Sequence, residues 1–170
     1  MSAERYSAAD PIAMFKEWLA EAEAKEDNNP TAMSLATADA EGVPSVRMVL
    51  LKDLDERGFV FYTNSDSRKG SELAANPNAS LCFHWKSMLK VVRVDGAVEK
   101  VTGADADAYF KSRSRGSQIG AWASKQSRPL ESREMLLKAV DDHSSRFNHD
   151  VPRPSHWSGF HLQPSAWEFW

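Results

Sequence analysis

The chain begins with a helical pattern of apolar and polar residues. Asp10 and Pro11 are residue types preferred at an N-cap and at the first helical position. Apolar side chains then recur from Ile12 to Ala22 at helical spacing, with charged residues between them. The Asn-Asn-Pro segment at 28–30 ends the pattern. We predict one amphipathic helix that packs its apolar side against a core.

Short apolar runs separated by polar turns dominate the rest of the chain. Such runs, rich in β-branched and aromatic residues, predict strands of an antiparallel barrel or sandwich. The segment 53–58, between the second and third runs, is predicted to be a turn. The predicted strands cover residues 32–37, 45–51, 59–63, 79–85, 90–101 and 160–170.

Three further helical patterns interrupt the strands, at 67–75, from Thr102 to about residue 110, and at 131–147. Thr102 and Asp105 resemble a capping box. This order predicts an α+β fold, an antiparallel β-barrel with flanking helices. No linker divides the chain, so we expect a single domain over residues 1–170, in which residues 1–9 form a flexible N-terminal segment. One stripe of the last helix carries Leu136, Val140, His143 and Phe147.

Composition and charge exclude several functions. The chain has 170 residues, 42% of them hydrophobic, and a net charge of −3, so a nucleic-acid partner is not favoured and any anion site requires a local cluster of cations. No apolar stretch reaches the roughly 20 residues that span a bilayer, and the N-terminus lacks the apolar core of a signal peptide. We therefore expect a cytoplasmic protein without a membrane partner.

The five histidines and one cysteine lack metal-ligand spacing, and no phosphate-loop or nucleophile-elbow motif occurs.

Two pairs of cations are candidates for an anion site. Arg68 and Lys69 fall in the first turn of a predicted helix, where the helix dipole disfavours cations unless an anion docks there. The alternative is a solvated basic pair. Arg47 and Lys52 bracket an aliphatic run, where a charge is costly unless it is paired or bound to a ligand. The alternative is that both lie at the barrel edge and point to water.

A phenol, a guanidinium and a hydroxyl recur four residues apart, at Tyr109, Arg113 and Ser117. On a continuous helix they would line one face, and together they suit a phosphate group because Arg offers bidentate hydrogen bonds. A nearby glycine and several serines leave a helix break open, and an ordinary exposed face is the alternative. Gln126 and Ser127 could bind a polar ligand or satisfy their own loop.

Taken together, these segments resemble pyridoxine 5′-phosphate oxidases over nearly the whole chain. Each piece is weak alone, but their order and spacing are specific. The matching pieces are Asn-Pro-Thr-Ala-Met at 29–33, Arg-Met-Val-Leu-Leu-Lys at 47–52, Phe-Tyr-Thr-Asn at 61–64, Ser-Arg-Lys at 67–69, Tyr-Phe-Lys-Ser-Arg at 109–113, Ser-Gln-Ile-Gly-Ala-Trp at 117–122, Ser-Lys-Gln-Ser at 124–127 and Trp-Ser-Gly-Phe at 157–160.

The resemblance implies a split β-barrel with a Greek-key-like antiparallel sheet, which forms a homodimer with two FMN sites at the subunit interface. Arg68 and Lys69 are expected to hold the FMN phosphate. The substrate phosphate is expected at Lys52, Tyr109, Arg113 and Ser117. The implied FMN contacts are Arg47, Met48, Val49, Leu50, Lys52, Tyr62, Thr63, Arg68, Lys69, Gln126, Ser127 and Trp170.

The reaction that the resemblance implies is oxidation of pyridoxine or pyridoxamine 5′-phosphate at C4′. A hydride passes to the flavin, and O₂ reoxidises the flavin to give hydrogen peroxide; the amine substrate also releases ammonia. The cofactor carries this chemistry, while the protein supplies position and charge. No catalytic triad is therefore expected.

Two departures from the family pattern favour a second hypothesis. Val91 stands where family members usually carry a glutamine that bonds the flavin, and the lost contact corresponds to about 0.5–1.5 kcal/mol. The family usually continues into an Arg-Leu-His segment, whereas this chain ends at Trp170. In the second hypothesis the same barrel binds FMN or pyridoxal phosphate without useful turnover. A third hypothesis is a flavin-dependent reductase of the wider split-barrel group. The predicted phosphate site at Tyr109, Arg113 and Ser117 argues against it, because such a site implies a phosphorylated ligand.

Overall fold

The computed structural model describes residues 10–170, so the segment 1–9, predicted to be flexible, lies outside the described residues. The first helix, α1 (Pro11–Lys25), confirms the prediction from the sequence. The Asp10 carboxylate caps it by accepting hydrogen bonds from the backbone N–H groups of Ile12 and Ala13. One face of the helix is buried, at Phe15, Trp18 and Ala22.

Seven antiparallel strands form one curled sheet, a half-barrel. The strands are β1 (Ala32–Ala38), β2 (Pro44–Leu50), β3 (Asp53–Asp55), β4 (Gly58–Asn64), β5 (Asn78–Trp85), β6 (Lys90–Lys100) and β7 (Trp157–Phe169). Their order in the sheet is β2-β1-β5-β6-β7-β4-β3, so the last strand lies between β6 and β4. The antiparallel barrel-type sheet expected from the short apolar runs is confirmed.

Two strands differ from the prediction. The prediction that 53–58 is only a turn was wrong, because residues 53–55 form β3 and pair with β4. A strand of this length is too short to show an alternating pattern, so its partner alone reveals it. The final strand begins at Trp157 instead of residue 160, and it pairs with both β4 and β6.

Four further helices connect the described strands: α2 (Arg68–Ala75), α3 (Gly103–Ser112), α4 (Arg115–Ala123) and α5 (Arg133–Arg146), with a short 3₁₀ turn at Lys86–Met88. Thr102 occupies the N-cap position of α3, as predicted, and α2 begins directly after Ser67, close to its predicted start. Helix α4 was not predicted; Ser114 caps it and accepts a hydrogen bond from the backbone N–H of Ser117. Within residues 10–170, no helix combines the length and apolar character needed to cross a bilayer.

The core lies on both sides of β4, which is buried along nearly its whole length. On one side, Phe15 of α1 contacts Phe59 and Phe83 edge-to-face, with ring centroids 4.9 Å apart in each pair. On the other side, α3, α4 and the start of β7 bury Phe110, Ile119 and Trp157 in a second cluster. The predicted apolar stripe of α5 packs there through Val140 and Phe147. This second cluster brings the ends of β4, α3 and α4 together.

Candidate functional site

A cavity of about 660 Å³ opens where β2, β4, α2, α3 and α4 meet. It collects most of the site residues expected from the sequence, although they come from distant parts of the chain. Asn64, Ser114, Gly120, Ala121, Ser124 and Trp157 also line it and were not predicted. The predicted residues in its wall are Met48, Val49, Leu50, Lys52, Tyr62, Thr63, Lys69, Tyr109, Arg113, Ser117 and Gln126.

The charge of this cavity is positive. Lys52, Lys69 and Arg113 line it, whereas no aspartate or glutamate of residues 10–170 does. The chain as a whole carries a net charge of −3, so the positive charge of the cavity is opposite in sign to the net charge of the protein. An anionic ligand is therefore favoured in the cavity by its immediate surroundings.

Lys69 is a buried cation with neutral hydrogen-bond partners. Its side chain is only 7% exposed. Its Nζ donates to Thr63 Oγ1 at 3.1 Å, Ser67 Oγ at 3.2 Å and Gln126 Oε1 at 2.9 Å. Burial and the Arg47 charge lower the pKa of Lys69 to about 8, while the Glu72 carboxylate opposes this shift. A ligand anion would restore the charge balance that these neutral partners leave incomplete.

The position of Lys69 depends on a close approach between α2 and the end of β4. A Cβ atom on Gly70 would lie 2.2 Å from the carbonyl oxygen of Ser65, so no larger residue fits without a shift. The Ser67 hydroxyl donates to the Asn64 carbonyl at 2.6 Å and fixes the turn between strand and helix. The first turn of α2 is therefore held against the cavity wall.

Arg113, in the cavity wall, has a buried donor that is unsatisfied among residues 10–170. Its Nη1 is buried and has no hydrogen-bond partner among residues 10–170. Burial lowers the pKa of Arg113. Because a buried guanidinium nitrogen without a partner is costly, this arrangement suits a site that binds an oxyanion.

Tyr109, Arg113 and Ser117 reach the same cavity, but not from one continuous helix. Helix α3 ends at Ser112, Arg113 is extended, and Ser117 belongs to α4. The chain turns at Ser114, whose hydroxyl donates to Ser117 Oγ at 2.9 Å. The break left open by the sequence therefore exists, and the turn keeps the three side chains on one cavity.

Stacked aromatic rings form one wall of the cavity. The rings of Tyr62 and Tyr109 lie 4.0 Å apart at an interplanar angle of 19°. Trp157 stacks on Tyr62 at 5.3 Å and 8°. Burial raises the pKa of Tyr62, so its phenol stays protonated at neutral pH. Trp157 was missed as a site residue, although the Trp-Ser-Gly-Phe piece at 157–160 had marked the segment.

Four of the predicted FMN residues do not line this cavity. Arg47 and Arg68 both contact the buried carboxylate of Glu72. Ser127 has a positive φ of 64° and lines a separate cavity of about 530 Å³ together with Arg68. Trp170 is 74% exposed at the end of β7.

Glu72 is the centre of a polar network between β1, β2 and α2. Its carboxylate accepts hydrogen bonds from Thr37, Ser45 and Arg68, and it pairs with Arg47 Nη2 at 3.1 Å. Burial alone raises the pKa of Glu72, but these hydrogen bonds and the Arg47 charge outweigh burial and lower it to about 2. Glu72 was not predicted as a site residue. Arg68 lies one helical turn before it, but its other partners belong to β1 and β2, which only the tertiary structure brings close.

Solved structures share this half-barrel. The crystal structure of PhzG from Burkholderia lata 383 in complex with tetrahydrophenazine-1-carboxylic acid matches with a TM-score of 0.93 and 31% identity, over 100% of this chain and 84% of that chain. A pyridoxamine 5′-phosphate oxidase-related, FMN binding protein from Nostoc punctiforme PCC 73102 matches with a TM-score of 0.74 and 16% identity, over 96% and 84%. The fold is that of the FMN-binding class of split β-barrels.

Sequence comparison identifies the family. A family model described as pyridoxamine 5′-phosphate oxidase matches residues 19–146. The pyridoxine/pyridoxamine 5′-phosphate oxidase of Maricaulis maris (strain MCS10) is 61% identical over 170 residues, 99% of this chain and 77% of that protein. The enzyme of the same name from Rhizobium leguminosarum bv. trifolii (strain WSM2304) is 59% identical over 162 residues, 95% of this chain and 79% of that protein. The chain belongs to the pyridoxamine 5′-phosphate oxidase family, and the resemblance noted from the sequence is confirmed.

Proposed function

We propose that this protein oxidises pyridoxine or pyridoxamine 5′-phosphate to pyridoxal 5′-phosphate, with FMN as the cofactor and O₂ as the final electron acceptor. The observation that supports this most is the cavity charge, because Lys52, Lys69 and Arg113 line the cavity and no carboxylate from the described part of the chain joins them. The cofactor and the substrate each carry a phosphate group. A cavity with several separated cations suits two such ligands.

The cofactor is FMN, and the residues present fit it. The volume of about 660 Å³ lies within the range of small-molecule sites. Lys69 offers a charge for the FMN phosphate, and Thr63 and Gln126 offer polar groups beside it. When bound, FMN accepts two electrons from the substrate and passes them to O₂.

Arg113 is the centre of the proposed substrate-phosphate site. Its Nη1, which has no partner within residues 10–170, supplies a donor, and Lys52, Tyr109 and Ser117 line the same cavity. A phosphate held there would fix the ring of the substrate in one orientation, with C4′ directed at the flavin. Positioning of this kind lowers the barrier without an acid–base residue from the protein.

We further propose a homodimer in which a second copy completes the FMN site. Strand β2 is at the edge of the sheet, and it exposes Val46 (68%) and Met48 (62%). Met48 also lines the cavity, so the cavity opens at this apolar edge. A second copy that covers β2 would bury both side chains. It would also explain why Ser127 and Trp170 do not reach the cavity of their own protomer.

A second candidate is oxidation of a carboxylated polycyclic compound. It is supported by the structural similarity to PhzG, with a TM-score of 0.93, whose crystal structure contains tetrahydrophenazine-1-carboxylic acid. A guanidinium such as that of Arg113 binds carboxylates and phosphates in the same bidentate manner. The choice between the two candidate functions therefore depends on whether the site around Arg113 binds a phosphate or a carboxylate more tightly.

Turnover with defined substrates tests these proposals. The purified protein is loaded with FMN, and the flavin is followed by its visible absorption. Pyridoxine 5′-phosphate, pyridoxamine 5′-phosphate, unphosphorylated pyridoxine and tetrahydrophenazine-1-carboxylic acid are then added separately in air. Aldehyde and hydrogen peroxide formed in equal amounts from the phosphorylated compounds are expected. Bound flavin without turnover of either phosphate would refute the oxidase, and turnover of the tricyclic acid alone would establish the second candidate.

A further inference from the structure

Arg113 is held by aromatic rings and not by a carboxylate. Its Cζ lies 4.8 Å from the centroid of the Trp157 ring and 5.7 Å from that of Phe110. No ion pair links Arg113 to an acidic residue within residues 10–170. The guanidinium is half-buried, and its Nη1 has no hydrogen-bond partner in the described part of the chain.

This arrangement leaves the donors of the guanidinium free. An ion pair with a carboxylate would occupy its N–H groups and neutralise its charge. A ring contacts the cation through its π-face, so this contact does not use up the N–H groups as hydrogen-bond donors. Ring contact therefore positions the arginine while preserving both the charge and the hydrogen bonds that an oxyanion requires.

Trp157 is well suited to this role because its own position is fixed. It is only 6% exposed, and its backbone pairs with Asn64 where β7 meets β4. Its ring also stacks on Tyr62, and it lies 6.0 Å from Tyr109 at an interplanar angle of 11°. One side chain thus contacts several groups of the cavity wall.

We propose that Trp157 is a positioning residue that presents Arg113 to the phosphate of the substrate and thereby sets the preference for phosphorylated ligands. This inference rests on the proposed function, in which Arg113 binds that phosphate. Trp157 is not expected to take part in the redox step.

The test compares two aldehydes that differ only in the phosphate group. Dissociation constants of pyridoxal 5′-phosphate and pyridoxal are measured on the FMN-loaded protein, and the phosphate preference is defined as their ratio. Trp157→Leu removes the π-face and should lower this preference by about tenfold. Trp157→Phe retains a smaller ring with a weaker cation–π interaction and should lower it by about threefold. FMN should remain bound in both variants.

The matched control is Trp18, which lies in the other core cluster. It is 8% exposed, and Lys90 Nζ lies 4.5 Å from its ring centroid. Trp18→Leu therefore removes a comparable buried ring and cation contact away from the cavity. It should lower stability but leave the phosphate preference unchanged.

Several outcomes would overturn the role of Trp157. The first is a Trp157→Leu variant that weakens the binding of both aldehydes equally. The second is a Trp18→Leu variant with the same loss of phosphate preference, and the third is a Trp157→Phe variant with the wild-type phosphate preference. If Trp157→Leu does not fold, the Phe variant alone decides.

Arg113→Ala separates this inference from the proposed function. If that variant keeps the wild-type phosphate preference, the proposed substrate site itself is wrong. If it loses the preference while the Trp157 variants keep it, only the role of Trp157 is wrong. In the Arg113→Ala background, Trp157→Leu should cause no further loss, because the two residues act through one interaction.

Discussion

Raising the pH should weaken FMN binding, because Lys69 loses its proton within an accessible range. Burial and the Arg47 charge lower the pKa of Lys69 to about 8, against the opposing effect of Glu72. With that pKa, Lys69 is about nine-tenths protonated near pH 7 and about one-tenth protonated near pH 9. A phosphate interacts favourably with the charged form alone. FMN affinity should therefore be full below this pKa and fall about tenfold between about pH 7 and about pH 9.

Quenching of flavin fluorescence on titration of the apoprotein measures this affinity across the pH range. Riboflavin, which lacks the phosphate, is the ligand control and should bind with little dependence on pH. Lys69→Arg is the protein control, because a guanidinium stays protonated throughout the range. That variant should bind FMN with nearly constant affinity.

A flat FMN affinity in the wild-type protein would refute the role of Lys69 at the FMN phosphate. A decline that riboflavin shares would have the same meaning, because the effect would not depend on the phosphate. A decline that persists in Lys69→Arg would assign the titration to another group.

Three further predictions concern the surroundings of the cavity. Arg68 pairs with Glu72 outside the main cavity, so its role at the FMN phosphate rests on the family resemblance alone: with that role, Arg68→Ala should weaken FMN binding by about 1.5–3 kcal/mol, the range for a hydrogen bond to a charged group, and unchanged affinity by titration would remove Arg68 from the FMN site. Glu72, whose pKa is lowered from 4.5 to about 2, should contribute about 3 kcal/mol of stability above about pH 4.5, lost as the pH falls towards 2. Urea unfolding at about pH 7 and about pH 3 should reveal this loss in the wild type and a smaller one in Glu72→Gln. Gly159→Ala would bring a Cβ atom to 2.6 Å from the Tyr62 ring, so the ring must move and pyridoxal 5′-phosphate should bind more weakly; a wild-type dissociation constant would contradict this reasoning.

Much of the local structure followed from the sequence. The Asp-Pro start of α1, the start of α2 near Ser67, the N-cap at Thr102 and the longer strands were all predicted, because their signals depend on neighbours within a few residues. The resemblance to the family also came from local signals, namely short motifs in a fixed order. The comparisons with known proteins confirm it. Spacing also singled out Tyr109, Arg113 and Ser117, which the structure brings to one cavity.

Other features depended on contacts between distant segments. Residues 53–55 become a strand only because β4 pairs with them, and Trp157 reaches Arg113 only because β7 lies beside β4. Likewise, Glu72 brings together Arg47 and Arg68 from different elements. No periodicity along the chain encodes such contacts.

The sequence by itself therefore determined the described helices other than α4, most strands, the family and the residue types that can bind phosphate. The tertiary structure alone decided which of those residues share a cavity and which cations lack a carboxylate partner. The physical reason is that hydrogen bonding within a helix or turn is set by adjacent residues, whereas burial and charge pairing depend on the register and packing of strands far apart in the chain.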